Sequence, residues 1–262
     1  MRVTMLLDNI AADPGLAAEH GLSLHIETEK HRILFDSGQS DAFARNAEAL
    51  GIDLSAVDTA ILSHGHYDHS GGFSRFFEQN AHASLYLHRS AFERREAERG
   101  RDIGLAPSLA GSPRLVFTDD IQHLDAGLAL ITCNQRERRF PSHSDGLYQY
   151  RDGALEQDAF LHEQYLCIHE KGRNVVISGC SHKGILNIVD WLKPDVLIGG
   201  FHFMGLDVLK DEEELEREAA LLAASGTVFY TCHCTGKNQF DWLKERLGDR
   251  LHYLAGGMSV EL

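Results

Sequence analysis

Along the first sixty residues, apolar positions fall in short β-type runs rather than at helical spacing. Residues 2–8, 22–28 and 31–36 read as strands, the last two joined by a turn at Glu29-Lys30. Asp36-Ser37-Gly38 closes the third run, and Phe43, Ala47 and Leu50 then share one face of a helix over 40–50. A strand at 57–63 follows, then a short helix at 73–79, a strand at 84–88 and a charged helix at 90–99. Strands near 114–118 and 128–133 lead into an irregular stretch, 134–160, long enough to be an active-site loop insertion. Residues 161–169 and 173–179 form a hairpin about Lys171-Gly172. Thereafter the pattern alternates: helix 184–192, strand 195–199, helix 211–224, strand 227–231, helix 238–246, strand 250–254. Strands first and alternating units later predict an α/β fold, two sheets packed together with helices outside, in one domain spanning 1–262.

The strand at 57–63 delivers the most informative residues, His64-Gly65-His66-Tyr67-Asp68-His69. At an extended strand end, positions i and i+2 point the same way, so His64 and His66 can grip one cation together. A helix beginning near Ser70 turns Asp68 and His69 inward beside them, suited to a second cation. A surface histidine cluster is the alternative, but such clusters rarely sit between a β-rich run and a double glycine.

Three later β-type runs also end in Gly or Cys with a histidine at the tip: Ser178-Gly179-Cys180-Ser181-His182, Gly199-Gly200-Phe201-His202 and Cys232-His233-Cys234. Strand tips in an α/β sheet are where ligands gather. Cys180 and His182 repeat the i, i+2 spacing, and His233 is a candidate ligand. Cys232 and Cys234 suit packing as well as ligation, and a lone histidine such as His202 is often only hydrogen-bonded to backbone. Eighteen residues separate His162 from Cys180, enough for one strand, a turn and the next, so both can reach one edge.

Composition narrows the function. A net charge of −14 argues against nucleic acid or an anionic membrane as partner. No apolar span is long enough to cross a bilayer, and the apolar run at the amino terminus is too short for a signal peptide. Five cysteines, an odd number without the spacing of a secreted framework, imply reduced thiols and a cytoplasmic setting. Arg136, Arg138, Arg139, His143 and Arg151 stand out in the irregular stretch, as do Arg94, Arg95, Arg99 and Arg101 in the charged helix. They suit a small phosphorylated or carboxylated substrate, or they are solvated and paired with Glu137, Glu93, Glu96 and Glu98.

With these residues in hand, the chain resembles the metallo-β-lactamase (MBL-fold) superfamily, through the 64–69 signature, the Asp36-Ser37-Gly38 turn and the later single ligands. It is also similar to a subgroup of dihydropterin-ribofuranosylaminobenzene-phosphate synthase-like proteins, in Glu19-His20-Gly21-Leu22-Ser23, Gly179-Cys180-Ser181-His182-Lys183-Gly184, Gly199-Gly200-Phe201-His202 and Cys232-His233-Cys234-Thr235-Gly236. The resemblance implies a four-layered αββα sandwich, two mixed β-sheets flanked by helices, with two divalent metal ions at one edge. It implies His64 and His66 on the first ion with either His162 or His182, and Asp68, His69 and His233 on the second. Cys180 stands where the superfamily usually has a bridging Asp, which favours zinc over magnesium, with manganese or iron as alternatives. The implied chemistry is attack by a metal-bound hydroxide, with Asp68 orienting it and His202 or His182 as general acid. Asp36 is expected to hold a ligand histidine. The expected activity is hydrolysis of a small anionic molecule: a phosphate ester, cyclic phosphate or lactone. Two alternatives are a transferase joining a pterin-methyl diphosphate to a ribofuranosylaminobenzene phosphate, and a non-hydrolytic iron-binding redox or ligand-sensing module.

Overall fold

The computed structural model describes residues 1–151 and 153–262. The chain folds as two compact units, the first comprising 1–119, 146–164 and 255–262, the second 120–145 and 165–254.

The first unit is built on a seven-stranded mixed sheet. In spatial order its strands are Ser259–Glu261, Arg2–Leu7, Ser23–Glu27, Arg32–Phe35, Thr59–Ile61, Ser84–His88 and Leu115–Thr118. The first three pairings are antiparallel and the last three parallel. Thr59–Ile61 is buried throughout, which is why its sequence is a continuous apolar run rather than an alternating one. Helix Ala42–Ala49 buries Phe43 and Ala47 into a core that includes Leu6, Leu34, Phe73 and Leu85. In the parallel part, Phe35 lies opposite Ile61, so Asp36 and the run from Ser63 emerge together at the carboxyl ends of neighbouring strands.

The second unit has its own seven-stranded sheet, in the order Leu251–Tyr253, Val228–Thr231, Val196–Ile198, Arg173–Ile177, Tyr165–Glu170, Leu128–Ile131 and Ile121–Asp125. Three parallel neighbours align Ile177, Ile198 and Tyr230, so Cys180, His202 and His233 all follow carboxyl ends of adjacent strands. Helices Ile185–Leu192, Glu212–Ala224 and Lys237–Leu247 pack on this sheet. Glu212–Ala224 buries Leu215, Glu218, Ala219 and Leu222, the three-and-four spacing of a single stripe. Gly199-Gly200 lets these tips close up. A Cβ at Gly200 would lie 2.4 Å from the Cys234 sulfur, and one at Gly199 2.2 Å from the Ser178 carbonyl oxygen.

Three expectations need correction. Residues 90–99 are not a charged helix: a 3-10 turn, Arg89–Phe92, leads to strand Arg95–Ala97 and a reversal into Arg101–Asp102. The Arg95 side chain is wholly buried and donates to the carbonyls of Ser90, Ala91 and Glu93, with Nε 3.1 Å from Asp158 Oδ2. Backbone wrapped on a guanidinium cannot also close a helical ladder, so tertiary contact overrides the local charge pattern. Nor is 134–160 irregular throughout. Leu147–Arg151 pairs with Ala154–Gln157 and with Arg95–Ala97, making a small third sheet in the first unit; Asp152, within that stretch, lies outside the described residues. Ala154–Gln157 is exposed along its length and so lacks an apolar signal. Finally, the helix carrying Asp68 and His69 starts at Tyr67, not near Ser70, and is followed by a second helix, Phe73–Gln79.

Two outcomes follow. Arg95→Met strands the buried Asp158 carboxylate and should cost about 3–5 kcal/mol in urea unfolding. Burial, assisted by Cys133, pushes the Cys167 thiol up to about 12 from 9.0. At pH 8 its thiolate is then on the order of one part in ten thousand, so native Cys167 should resist iodoacetamide until the chain unfolds. Because the unfolded thiol ionises first as pH climbs from 9.0 toward 12, stability should decline through that window.

Candidate metal centre

The first unit assembles its donors around Asp36, a buried carboxylate held at a positive φ of 58°. Its Oδ1 accepts from the Ser63 N–H (2.7 Å), while Oδ2 accepts from the Ser63 hydroxyl (2.6 Å) and lies 2.7 Å from His69 Nδ1. Ser63, its proton given to Asp36, is 2.8 Å from His64 Nδ1, which therefore donates to it. One carboxylate thus sets two imidazoles with Nδ1 as the protonated nitrogen and Nε2 as the one that can ligate.

Those atoms fall into two donor pairs. His64 Nε2 is 3.1 Å from His66 Nδ1. Nitrogens at adjacent tetrahedral positions, each about 2.0–2.1 Å from an ion, stand roughly 3.3 Å apart, so this pair fits one cation. His69 Nε2 is 3.7 Å from Asp68 Oδ2, and the same oxygen is 3.2 Å from His20 Nε2. Burial, then neighbouring His162, holds His66 well below its ordinary pKa, which keeps it neutral as a ligand must be. Burial pulls His69 down, but Asp68 and Asp36 together outweigh it and raise its affinity for a proton, as they would for a metal cation.

His162 sits beside these rings, 5.8 Å from His66 between centroids. Its Nδ1 accepts from the Gly65 N–H at 2.8 Å, so Nε2 carries the proton and faces Asp158 Oδ2 at 3.2 Å. Burial raises the Asp158 carboxyl, but the His162 hydrogen bond, Arg95 and the Phe160 N–H together hold it far below the ordinary carboxylate range. Both His162 nitrogens are thereby engaged within a Gly65–His162–Asp158–Arg95 chain. Sequence reasoning missed Asp158 and His20 in this surround, and gave Arg95 to the substrate or to solvent rather than to a buried carboxylate; His20 lay inside a motif quoted for its resemblance alone, and Asp158 carries no local signal.

In the second unit, donor atoms of Cys180, His233 and Cys234 lie within 4.8 Å of one another, all buried. The Cys234 thiol donates to the Cys180 carbonyl at 3.5 Å, in keeping with packing rather than ligation. The His182 and His202 rings lie with centroids 4.4 Å apart and planes inclined by 57°, and the Ser144 hydroxyl bridges them at 3.1 and 3.5 Å. His202 Nδ1 donates to the His143 carbonyl at 2.7 Å. Ser181, His202 and His233 all have positive φ, strain of about 1–3 kcal/mol apiece that a functional site commonly stores.

The segment carrying the arginines is anchored rather than loose. Asn187 bonds the Arg139 and Phe140 N–H groups and the Phe140 carbonyl, and buried Lys183 donates to Thr132 O and Asn134 Oδ1. Arg136, Arg138 and Arg139 are exposed, and Arg139 lies 3.4 Å from Glu137 and 3.7 Å from Asp190. His143 packs on helix Glu212–Ala224, 3.5 Å from the buried Glu218.

The family model described as the metallo-beta-lactamase superfamily matches residues 18–145. An uncharacterised protein of Methanocaldococcus jannaschii is 27% identical over 242 residues, covering 89% of this chain and 90% of its own. The 7,8-dihydropterin-6-methyl-4-(beta-D-ribofuranosyl)-aminobenzene-5'-phosphate synthase of the same organism is 28% identical over 273 positions, covering 93% and 90%. The crystal structure of Tm1679, a metal-dependent hydrolase of the beta-lactamase superfamily, superposes with a TM-score of 0.85 at 28% identity over 100% of this chain and 99% of that one. The mixed α/β architecture expected from the sequence is the one shared with that crystal structure.

Asp36→Asn weakens the carboxylate hold on His64 and His69 without emptying the space. It should lower zinc affinity about 10–100-fold, read by competition with a chromophoric chelator.

Proposed function

Because this chain belongs to the metallo-beta-lactamase superfamily, we propose that it is a metal-dependent hydrolase of a small anionic molecule, of the phosphate ester, cyclic phosphate or lactone class. The observation that carries the reading is the pair of buried donor sets, His64/His66 and Asp68/His69, oriented through one carboxylate. The proposed ligands are His64, His66, Asp68 and His69 in the first unit and Cys180, His182 and His233 in the second. His162, with both ring nitrogens engaged, suits the fastening of the Gly65 peptide better than ligation. A nitrogen-rich set with one thiolate suits zinc, with manganese or iron as alternatives.

Divalent ions held there would supply water activation and electrophilic stabilisation of a developing oxyanion. The chain's own residues do the rest. Asp68, between His20 and His69, orients the attacking water and accepts its proton. His202, with Nδ1 committed to the His143 carbonyl, exchanges protons through Nε2 with a leaving group, and His182 is the other candidate acid. Arg136, Arg138, Arg139 and His143 are proposed to recognise the substrate anion. The likeness to the Methanocaldococcus synthase favours a second reading, transfer of a pterin-methyl group from its diphosphate to a ribofuranosylaminobenzene phosphate.

Metal analysis and a panel of phosphodiester, lactone and thioester substrates test the proposal. Turnover should vanish with a chelator and return with zinc or manganese, and Asp68→Asn should lower kcat about 100-fold or more. Activity indifferent to chelation, or diphosphate release that requires the second substrate, overturns the hydrolase reading.

A further inference from the structure

A second built feature of the first unit lies on its seven-stranded sheet, and no member of the donor sets lines it. Arg2 stands opposite Glu27, Thr4 opposite both His25 and Ser259, and Glu27 opposite Arg32. Directly opposed residues point to the same side of a sheet, so these six side chains share one face. With residues 50–53 and Gly257 they line a cavity of about 440 Å³. A neighbouring cavity of about 290 Å³ shares Leu50 and Gly257 with it.

Packing does not account for the side chains lining this cavity. His25 is only 4% exposed, yet neither Nδ1 nor Nε2 has a hydrogen-bond partner. Burial holds it below its ordinary pKa, so near neutrality it has one N–H to give and one lone pair to fill. Each unmet buried group is costly. The Thr4 and Ser259 hydroxyls bond each other at 2.8 Å, which uses one of their two protons. Arg2 and Arg32 are half-exposed and loosely held, 3.7 Å from Glu261 and 4.0 Å from Glu27. Asp53 is occupied by the Ser55 N–H and hydroxyl. The wall therefore offers two guanidinium groups with the Glu27 carboxylate between them, a spare hydroxyl proton and an imidazole that needs a group able both to give and to accept. A hydroxyl beside an anionic group has that character.

We propose that this cavity binds a small hydroxylated anion, its phosphate or carboxylate on Arg2 and Arg32 and its hydroxyl on His25. The test is calorimetry on the full chain with glycerol 3-phosphate, glycerate and inorganic phosphate. Saturable binding of glycerol 3-phosphate or glycerate, at least tenfold tighter than inorganic phosphate, is expected, and the stronger of the two identifies the anionic group. Arg32→Gln and His25→Phe should each weaken it tenfold or more, and the ligand should shift the His25 imidazole ¹⁵N resonances. The proposal is overturned by no binding of any probe, by equal binding of inorganic phosphate, or by binding unchanged in both variants. It stands independently of the hydrolase reading, since none of these readouts requires turnover.

Discussion

Two imidazoles of the first unit's donor group, His64 and His69, depend on the carboxylate of Asp36. It receives a backbone N–H, a hydroxyl and an imidazole, and through Ser63 it also governs His64. Burial alone makes such a carboxyl reluctant to ionise, and indeed pushes it up; the surrounding donors oppose that push. A buried charge that meets several donors is rigid, because moving it leaves each of them unmatched. That rigidity fixes which nitrogen of each ring faces away from the carboxylate, Nε2 of His64 and Nε2 of His69. Parallel strand pairing supplies the rest, since Asp36 and Ser63 leave neighbouring strands at the same level.

Much of this was legible in the sequence because the signals are local. An apolar β-type run ending in a short polar tip marks a strand and its carboxyl end at once, and four such tips carry His64, Cys180, His202 and His233. Helices Ile185–Leu192, Glu212–Ala224 and Lys237–Leu247 lie within a residue of their expected bounds, because their apolar stripes are clear and glycine or proline stands nearby. Strands Ile121–Asp125 and Ser259–Glu261 escaped notice because edge strands half open to solvent carry no apolar run.

What stayed hidden was long-range. Arg95 sits among glutamates at spacings that suit a solvated helix, yet its carboxylate partner is sixty-three residues away. Nothing near Arg95 announces that contact. His162 shows the same difficulty in finer form. Spacing brought it to the right neighbourhood, but its bonding is decided by the Gly65 N–H, ninety-seven residues distant. Histidine type and position are readable from a chain; which nitrogen is occupied is not.

The grip on His202 has an unusual origin, since the carbonyl of His143 holds its Nδ1 more closely than the Ser144 hydroxyl does. The ring's tautomer is therefore encoded by the route the main chain takes past residue 143. Relatives could differ in the side chain at position 143 and still inherit the same protonation pattern at His202. A transplanted loop of similar composition but altered trajectory would lose it. For anyone re-engineering this protein, chain path at that point matters more than residue identity.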